Sequence, residues 1–481
     1  MSKEKGTILI QTIVYASIAV VLISALVNSA GIAIKSAERA IYLERAIQIA
    51  EGGIDYYRWH LAHAPVDYQD GTGTEGPYVH DFVDENGTKL GEYTLEIEAP
   101  PAGSTVVTIR STGTVVEDPS VSRTVEVTMA VPSLAEYSVA ANDDMRFGEG
   151  TEVYGHLHAN GGIRFDGLAH NIVSSSLESY SDPDHSGGDE FGVHTHVFPT
   201  DPLPPAEVPD REDVFEAGRE FPLPTIDFVG LTTDLASIKS EAQASGEYYP
   251  ASGYYGYHIT LKTDDTYDLY VVTRLQSPPR SYCYNNQNQD GWGTWSVGQE
   301  SFIGNEEIPE NGLLFFEDHV WVDGQIDGAR LTIAAGRFPD SPSTRRSITV
   351  NNDLLYTNYD GDDVIALIAQ DDINVGLYSE DDLQIDAALV AQNGRVGRYF
   401  YPTQTVYWIF YVNACTPYDV RSELTLNGTI ITNERYGFAY DGGNGYQIRN
   451  LNYDANLLYS PPPSFPLTSD QYEILKWREV E

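Results

Sequence analysis

The sequence predicts a mainly β protein behind one long N-terminal α-helix. The helix carries a small antiparallel sheet, and an irregular parallel β-helix (a solenoid) follows. Three observations predict this. Residues 7–34 contain no charged side chain and run without a break into apolar residues at helical spacing. Residues 93–131 hold three segments that alternate apolar and polar. Beyond Pro132, short β-branched runs recur between Gly and Asn corners.

The helix comes first. Residues 8–34 exceed the roughly 20 residues that cross a bilayer. Gln11, Thr12, Ser17, Ser24 and Asn28 interrupt the run, but none carries charge. The run is too long for a cleaved secretory signal and continues as an amphipathic helix. In that continuation Ala40, Leu43, Ile47, Ala50, Ile54, Tyr57 and Leu61 step by three and four, which places them on one face. Lys3 and Lys5 precede the run, which places the N-terminus in the cytoplasm and the bulk of the chain outside it.

The sheet follows a Gly- and Pro-rich loop over 64–77. Tyr93, Leu95 and Ile97 alternate with polar residues, as do Val107 and Ile109, and then Val125, Val127, Met129 and Val131. Each strand therefore has one face to bury, and the amphipathic half of the helix offers the matching surface.

From residue 142 the corners multiply. Val320 and Val322 precede Asp323-Gly324; Ile348 and Val350 precede Asn351-Asn352; Leu424 and Leu426 precede Asn427-Gly428. Runs such as Val364–Ala369 are continuously apolar, as strands buried on both faces tend to be. That favours stacked coils over an antiparallel sandwich, which is the competing reading. Residues 194–224 are Pro-rich and read as extended surface chain. Thr233 is a candidate N-cap for a short helix burying Leu235, Ile238 and Ala242 and ending at Gly246. A hairpin is expected over 257–272 and a polar loop over 282–295. The division is then a leader at 1–6, the helix at 7–61, the sheet at 62–132, first coils at 133–197, an insertion at 198–311, main coils at 312–460 and a tail at 461–481.

Lys and Arg total 28 against 71 Asp and Glu, a formal charge of -43 over 481 residues. A surface of that sign repels phosphate backbones, so nucleic acid is excluded as a partner.

Residues 1–65 carry a family resemblance. A short leader with Lys3 and Lys5 ends in Gly6, and Thr7-Ile8-Leu9-Ile10-Gln11 opens an apolar helix. This resembles the class III signal and N-terminal helix of the type IV pilin and pseudopilin superfamily. The stretch Ala50-Glu51-Gly52-Gly53-Ile54 is similar to the equivalent part of PilX-type minor pilins. The resemblance implies a prepilin peptidase cutting after Gly6 to expose Thr7, insertion in the membrane through 8–34, and other pilin or pseudopilin subunits as partners. Two residues depart from the pattern of major pilins. Thr7 stands where Phe or Met is usual, and Gln11 stands where Glu serves helix assembly. Gln11 brings no charge to pair with a neighbour's ammonium, which implies a minor or tip position. The implied role is structural: an acidic ectodomain displayed for surface adhesion or assembly, in a single-pass membrane protein or a surface pilus.

Candidate chemistry is sparse. His156 and His158 flank Leu157, His194 and His196 flank Thr195, and His185 lies between the pairs beside Asp182, Asp184 and Asp189. Together they offer ligands for a structural divalent cation such as Zn²⁺; the plain alternative is surface histidine on polar turns. Carboxylate corners at Asp360, Asp362 and Asp363, at Asp371 and Asp372, at 380–382 and at Asp441 offer Ca²⁺ the oxygens it takes, or are simply solvated. Cys283 and Cys415 are expected either to pair outside the cytoplasm or to remain two thiols. No phosphate-binding Gly loop, nucleophile elbow or cysteine nucleophile motif occurs, so no catalytic residue is assigned. The competing function is a membrane-anchored β-helical enzyme acting on extracellular polysaccharide, with Tyr254, Tyr255, Trp292 and Trp295 to stack on a surface glycan.

Overall fold

The computed structural model describes residues 5–101, 104–283, 293–407, 410–440, 442–469 and 471–480, without the side chains of 5–7, 229–234 and 407. The polar loop expected over 282–295 and the corner at Asp441 fall largely outside them. The chain forms two compact units. The first holds Met1–Pro100, Val106–Ala130 and Asp470–Glu481, and the second holds Pro101–Thr105 and Val131–Ser469.

The first unit is built on α1 (Lys5–His63), one uninterrupted helix. Its N-terminal half, from Ile8, is exposed, and it is long and apolar enough to cross a membrane. Its other half buries Ala46, Ile49, Ala50, Ile54, Tyr57 and Leu61. Ala40 is exposed and Leu43 and Ile47 are only half-buried, although the spacing puts them on the same stripe. The cause is drift: a three-four repeat averages 3.5 residues per turn, while a straight helix makes 3.6, so the stripe turns off the sheet by about 20° per heptad.

Four antiparallel strands pack on that face in sequence order: β1 (Tyr78–Val83), β2 (Lys89–Glu98), β3 (Val107–Val115) and β4 (Ser122–Ala130). Tyr93, Leu95, Val107, Ile109, Val125, Val127 and Met129 are buried, as period-two alternation requires. Gly113 permits the close approach of helix and sheet, since a Cβ there would lie 2.1 Å from the Ala46 carbonyl oxygen. The sheet has a fifth strand, Glu473–Val480, paired antiparallel with β4. Within the expected tail at 461–481, the stretch over 472–477 reads in sequence as a final short turn or strand, and the structure makes it a strand. It closes a sheet edge, where exposed side chains on both faces leave no alternation to read.

In the second unit, three ladders of parallel strand pairs lie one residue run above another. In the ladder of longest strands, Leu314, Ile333, Leu367, Leu389, Ile430, Val139, Leu157 and Val173 are successive partners, all fully buried. The ladder does not follow chain order. Its N-terminal strands stack outward from Val139 to Val173 and Arg219. The chain then re-enters at the far end through Glu247, the partner of Leu314, and winds back until Ile430 meets Val139. The region expected as an insertion thus supplies strands to the stack. Its hairpin, Tyr257–Leu261 with Thr266–Leu275, also pairs parallel with Val320–Ile326.

A side-chain ladder follows the corners. The Asn160 amide donates to Asn142 (2.6 Å), Asn142 to Asn433 (2.9 Å), Asn433 to the Asn393 carbonyl (3.1 Å), and Asn393 to the Gln370 carbonyl (2.7 Å). Each amide satisfies the coil beside it, which is why asparagine recurs at these turns.

The continuously apolar strands are buried on both faces. Leu367 points into the central core, while Ile368 and Val390 meet an outer layer of Leu235, Ile238 and Ala242 from α2 (Phe228–Ser245), with Leu457 and Phe465. α2 begins at Phe228, so the N-cap expected at Thr233 lies inside the helix. Phe465 is buried, and the Arg330 guanidinium donates to the carbonyls of Ser460 (2.9 Å) and Pro461 (2.7 Å), so the Pro-rich 460–466 stretch is fastened to the stack.

Candidate functional site

Gly6 and Thr7 lie in the first turn of α1, and Gln11 is exposed on its surface one turn further on.

The histidines divide into two groups. His156 and His158 sit on the strand His156–Ala159 of the long ladder. Each places a ring nitrogen 2.9 Å from the Ser174 hydroxyl, and both rings lie against Tyr137. Burial pushes the His158 imidazole down to about 4, so it is neutral at pH 7. The expected single site from both pairs is therefore corrected: His156 and His158 belong to a different ladder from His194 and satisfy each other's neighbours. His170 is also elsewhere, 2.7 Å from Glu216.

His185, His194 and His196 do converge, and two carboxylates join them. His194 lies on Val193–His194, which pairs parallel with Ile163–Phe165; Glu190 lies on Glu190–Phe191, which pairs antiparallel with Ser179–Tyr180. The turn between Tyr180 and Glu190 brings Asp182 and His185 back over these strands. His194 Nε2 is 3.5 Å from Asp182 Oδ2, His196 Nε2 is 3.3 Å from Glu190 Oε1, and His185 Nδ1 is 3.1 Å from the same oxygen. The His194 and His196 rings are 5.1 Å apart and the His185 and His196 rings 4.6 Å. His194 is fully buried and Glu190 and Asp182 nearly so, while His185 lies at the surface. Burial lowers the His194 pKa, opposed by Glu190, so its imidazole is neutral at pH 7. Glu190 is the member that sequence reading missed. Its position, six residues before His196 beside Asp189, was the available signal.

The cluster is braced from behind. Asp201 is buried between Arg211 (3.3 Å) and Arg219 (2.5 Å) and accepts the Thr195 N–H at 3.1 Å. Arg219 also donates to the Val193 carbonyl at 2.9 Å. The Pro-rich 194–224 stretch, expected as surface chain, is corrected: His194 and Thr195 are buried, and Asp201, Arg211 and Arg219 clamp the segment that carries His194 and His196. Asp166 adds a bond to the His196 N–H at 2.8 Å.

At two of the acidic corners the carboxylates bond to the chain itself. Asp363, buried, accepts the N–H groups of Gly328, Thr357 (2.9 Å) and Asn358 (2.6 Å). Asp372 accepts the Arg395 N–H at 2.9 Å and the Tyr399 hydroxyl. These carboxylates cap turns by accepting from backbone and hydroxyl donors.

Cys283 and Cys415 are joined by a disulfide, with Cα atoms 4.7 Å apart across 132 residues of sequence. It lies in a small apolar cluster with Trp295, Trp321, Tyr399 and Tyr401. Trp295 is buried there and is not an exposed stacking surface; Trp292 lies outside the described residues. Tyr254 and Tyr255 are exposed.

A cleft of about 340 Å³ opens beside that cluster, lined by His258, Trp321, Asp323, Asn352, Tyr378 and Tyr418. His258 bridges Glu300 (2.7 Å) and Asp323 (3.0 Å). Burial alone would lower its pKa, but the two hydrogen-bonded carboxylates outweigh that and raise it to about 9. A histidine with a raised folded pKa stabilises most below its unfolded value near 6.5, and loses that contribution as pH climbs through 9. Chemical denaturation across pH 6.5–9.5 is expected to lose up to about 3 kcal/mol from this group. A His258→Gln variant is expected to flatten that slope; an unchanged slope counts against the assignment.

No protein-family model matches the chain, and no curated protein matches it in sequence. Among solved structures, the competence-associated pilin ComZ from Thermus thermophilus aligns over 91% of this chain and 98% of its own, at 13% identity and a TM-score of 0.26. A score that low carries no argument about fold or function.

Proposed function

We propose that this chain is a pilin-like structural subunit, in the manner of a minor pilin or pseudopilin, that displays an acidic β-helical ectodomain for surface adhesion or assembly. One observation carries the reading: α1 runs unbroken from an exposed apolar stretch into the buried spine of an antiparallel sheet. A simple anchor needs only the first half. A spine shared between membrane and domain suits a subunit extracted from the bilayer into a filament, because the apolar half then trades lipid for neighbouring helices. Gly6 before Thr7 supplies the processing site, and uncharged Gln11 suits a position that forms no charged pair with the next subunit's N-terminus. The parallel ladders and their asparagine corners support a β-helix as the displayed body. The chain catalyses no reaction in this reading.

N-terminal sequencing of the protein from sheared surface filaments is expected to begin at Thr7. A Gly6→Leu variant is expected to keep the leader and to drop out of the filament fraction. Retention of the leader in the wild-type protein, or unchanged assembly of the variant, would sink the proposal.

A further inference from the structure

The cluster at the turn after Tyr180 has a chemical problem that the protein alone does not solve. His194 is fully buried, yet neither of its ring nitrogens has a hydrogen-bond partner. Asp182 Oδ2, facing it at 3.5 Å, has none either, and Glu190 Oε2 is equally bare. Buried donors and acceptors in native proteins are overwhelmingly satisfied, and leaving several unsatisfied within one turn is costly. The bare atoms are not scattered. His185, Glu190 and His196 offer ligand atoms within 4.8 Å of one another, and so do Asp182, His194 and His196.

We propose that Asp182, Glu190, His194 and His196 hold one borderline divalent ion, of which Zn²⁺ is the chemical type, with His185 at the surface bonded to Glu190. Zn–N and Zn–O bonds of about 2.0–2.1 Å in a tetrahedron place ligand atoms about 3.3 Å apart. The separations of 3.3 Å between His196 and Glu190 and 3.5 Å between His194 and Asp182 fit that spacing. Imidazole with carboxylate selects Zn²⁺ and its neighbours over Ca²⁺, which takes oxygen alone. The Asp201–Arg219 clamp and the Asp166 bond to the His196 N–H fix the strand before any ion arrives. Such support is what metal ligands require of the residues behind them. Arg164, 3.9 Å from Asp182 Oδ2, is held off by its own bond to Asp166 at 2.7 Å. The ion ties the turn carrying Asp182 and His185 to the strand carrying His194, which makes its role structural. This inference is independent of whether the chain enters a filament.

The test uses the full chain in detergent. Chelator-stripped protein is titrated with ZnCl₂ by calorimetry, and the metal content of the untreated protein is read by mass spectrometry. About one zinc per chain is expected, with a raised melting temperature on addition. His196→Ala and Asp182→Asn are each expected to weaken binding by more than about 100-fold, while a His156→Ala/His158→Ala double variant is expected to bind as the wild type does. Co²⁺ in place of zinc is expected to give the visible absorption of a tetrahedral site, lost in His196→Ala. No zinc uptake by the wild type overturns the proposal. So does uptake that survives both ligand variants, which places the ion elsewhere. Because Asp182→Asn preserves shape, a folding failure of one variant leaves the other to decide.

Discussion

Arg398→Ala is expected to destabilise the second unit by about 3–5 kcal/mol. Arg398 is completely buried and meets no carboxylate among the described residues. Its guanidinium instead donates to the carbonyls of Gly376, Leu377 (3.2 Å) and Tyr418 (2.7 Å) and to the Ser379 hydroxyl (3.0 Å). It also lies over the rings of Tyr401 and Tyr446, at 5.0 and 5.9 Å. One cation thereby gathers carbonyls from two corners, at 376–377 and at Tyr418. Removing it takes the guanidinium donor from the Tyr418 carbonyl in a dry interior, at about 1–3 kcal/mol, and leaves Gly376 and Leu377 with only the Ser379 N–H and the Arg421 guanidinium. Water entering the vacated space recovers part of that. Arg398→Met keeps most of the volume and is expected to remain several kcal/mol down, because lost hydrogen bonds and not lost packing dominate. Urea unfolding of both variants reads the difference; a loss below about 1 kcal/mol in either would refute the account.

Reduction of the Cys283–Cys415 bridge, or its replacement by two alanines, is expected to cost about 3–5 kcal/mol. The two residues close a loop of 132 positions, and cross-linking so long a loop removes much of the unfolded chain's freedom. The bridge also sits in the apolar cluster with Trp295 and Trp321, so unfolding is readable in their fluorescence. Urea melts with and without reductant are expected to separate for the wild type and coincide for the double variant. Coincident melts for the wild type would remove the effect. Arg398 reaches the same region through Tyr401, so the two perturbations are expected not to add.

Several elements were readable from residues alone because their signals are local. A charge-free run and a three-four stripe specify α1 wherever it ends up. Alternation over 93–131 specifies strands with one buried face, and the structure buries those residues. Continuous apolar runs such as Val364–Ala369 announced burial on both faces, which the core and the α2 layer provide. Asn and Gly corners announced turns between short strands. The competing antiparallel sandwich fails because the long ladders of the second unit pair parallel.

The partners of those elements were not readable, for one physical reason. A strand's period encodes which face it buries, while its neighbour is chosen by hydrogen-bond ladders and packing contributed from far along the chain. Nothing local in Ile430 names Val139, almost three hundred positions earlier, as its partner. Glu473–Val480 shows no alternation, because both its faces are exposed, and only the open edge of β4 makes it a strand. The histidines show the same division. Spacing placed His194 with His196, and His156 with His158. Ladder membership then kept the second pair away and brought Glu190 and Asp182 to the first. The residues thus carry the helix, the strand types and the corners. The order of the stack and the composition of the cluster arise from long-range pairing, since neither leaves a periodic trace in the chain.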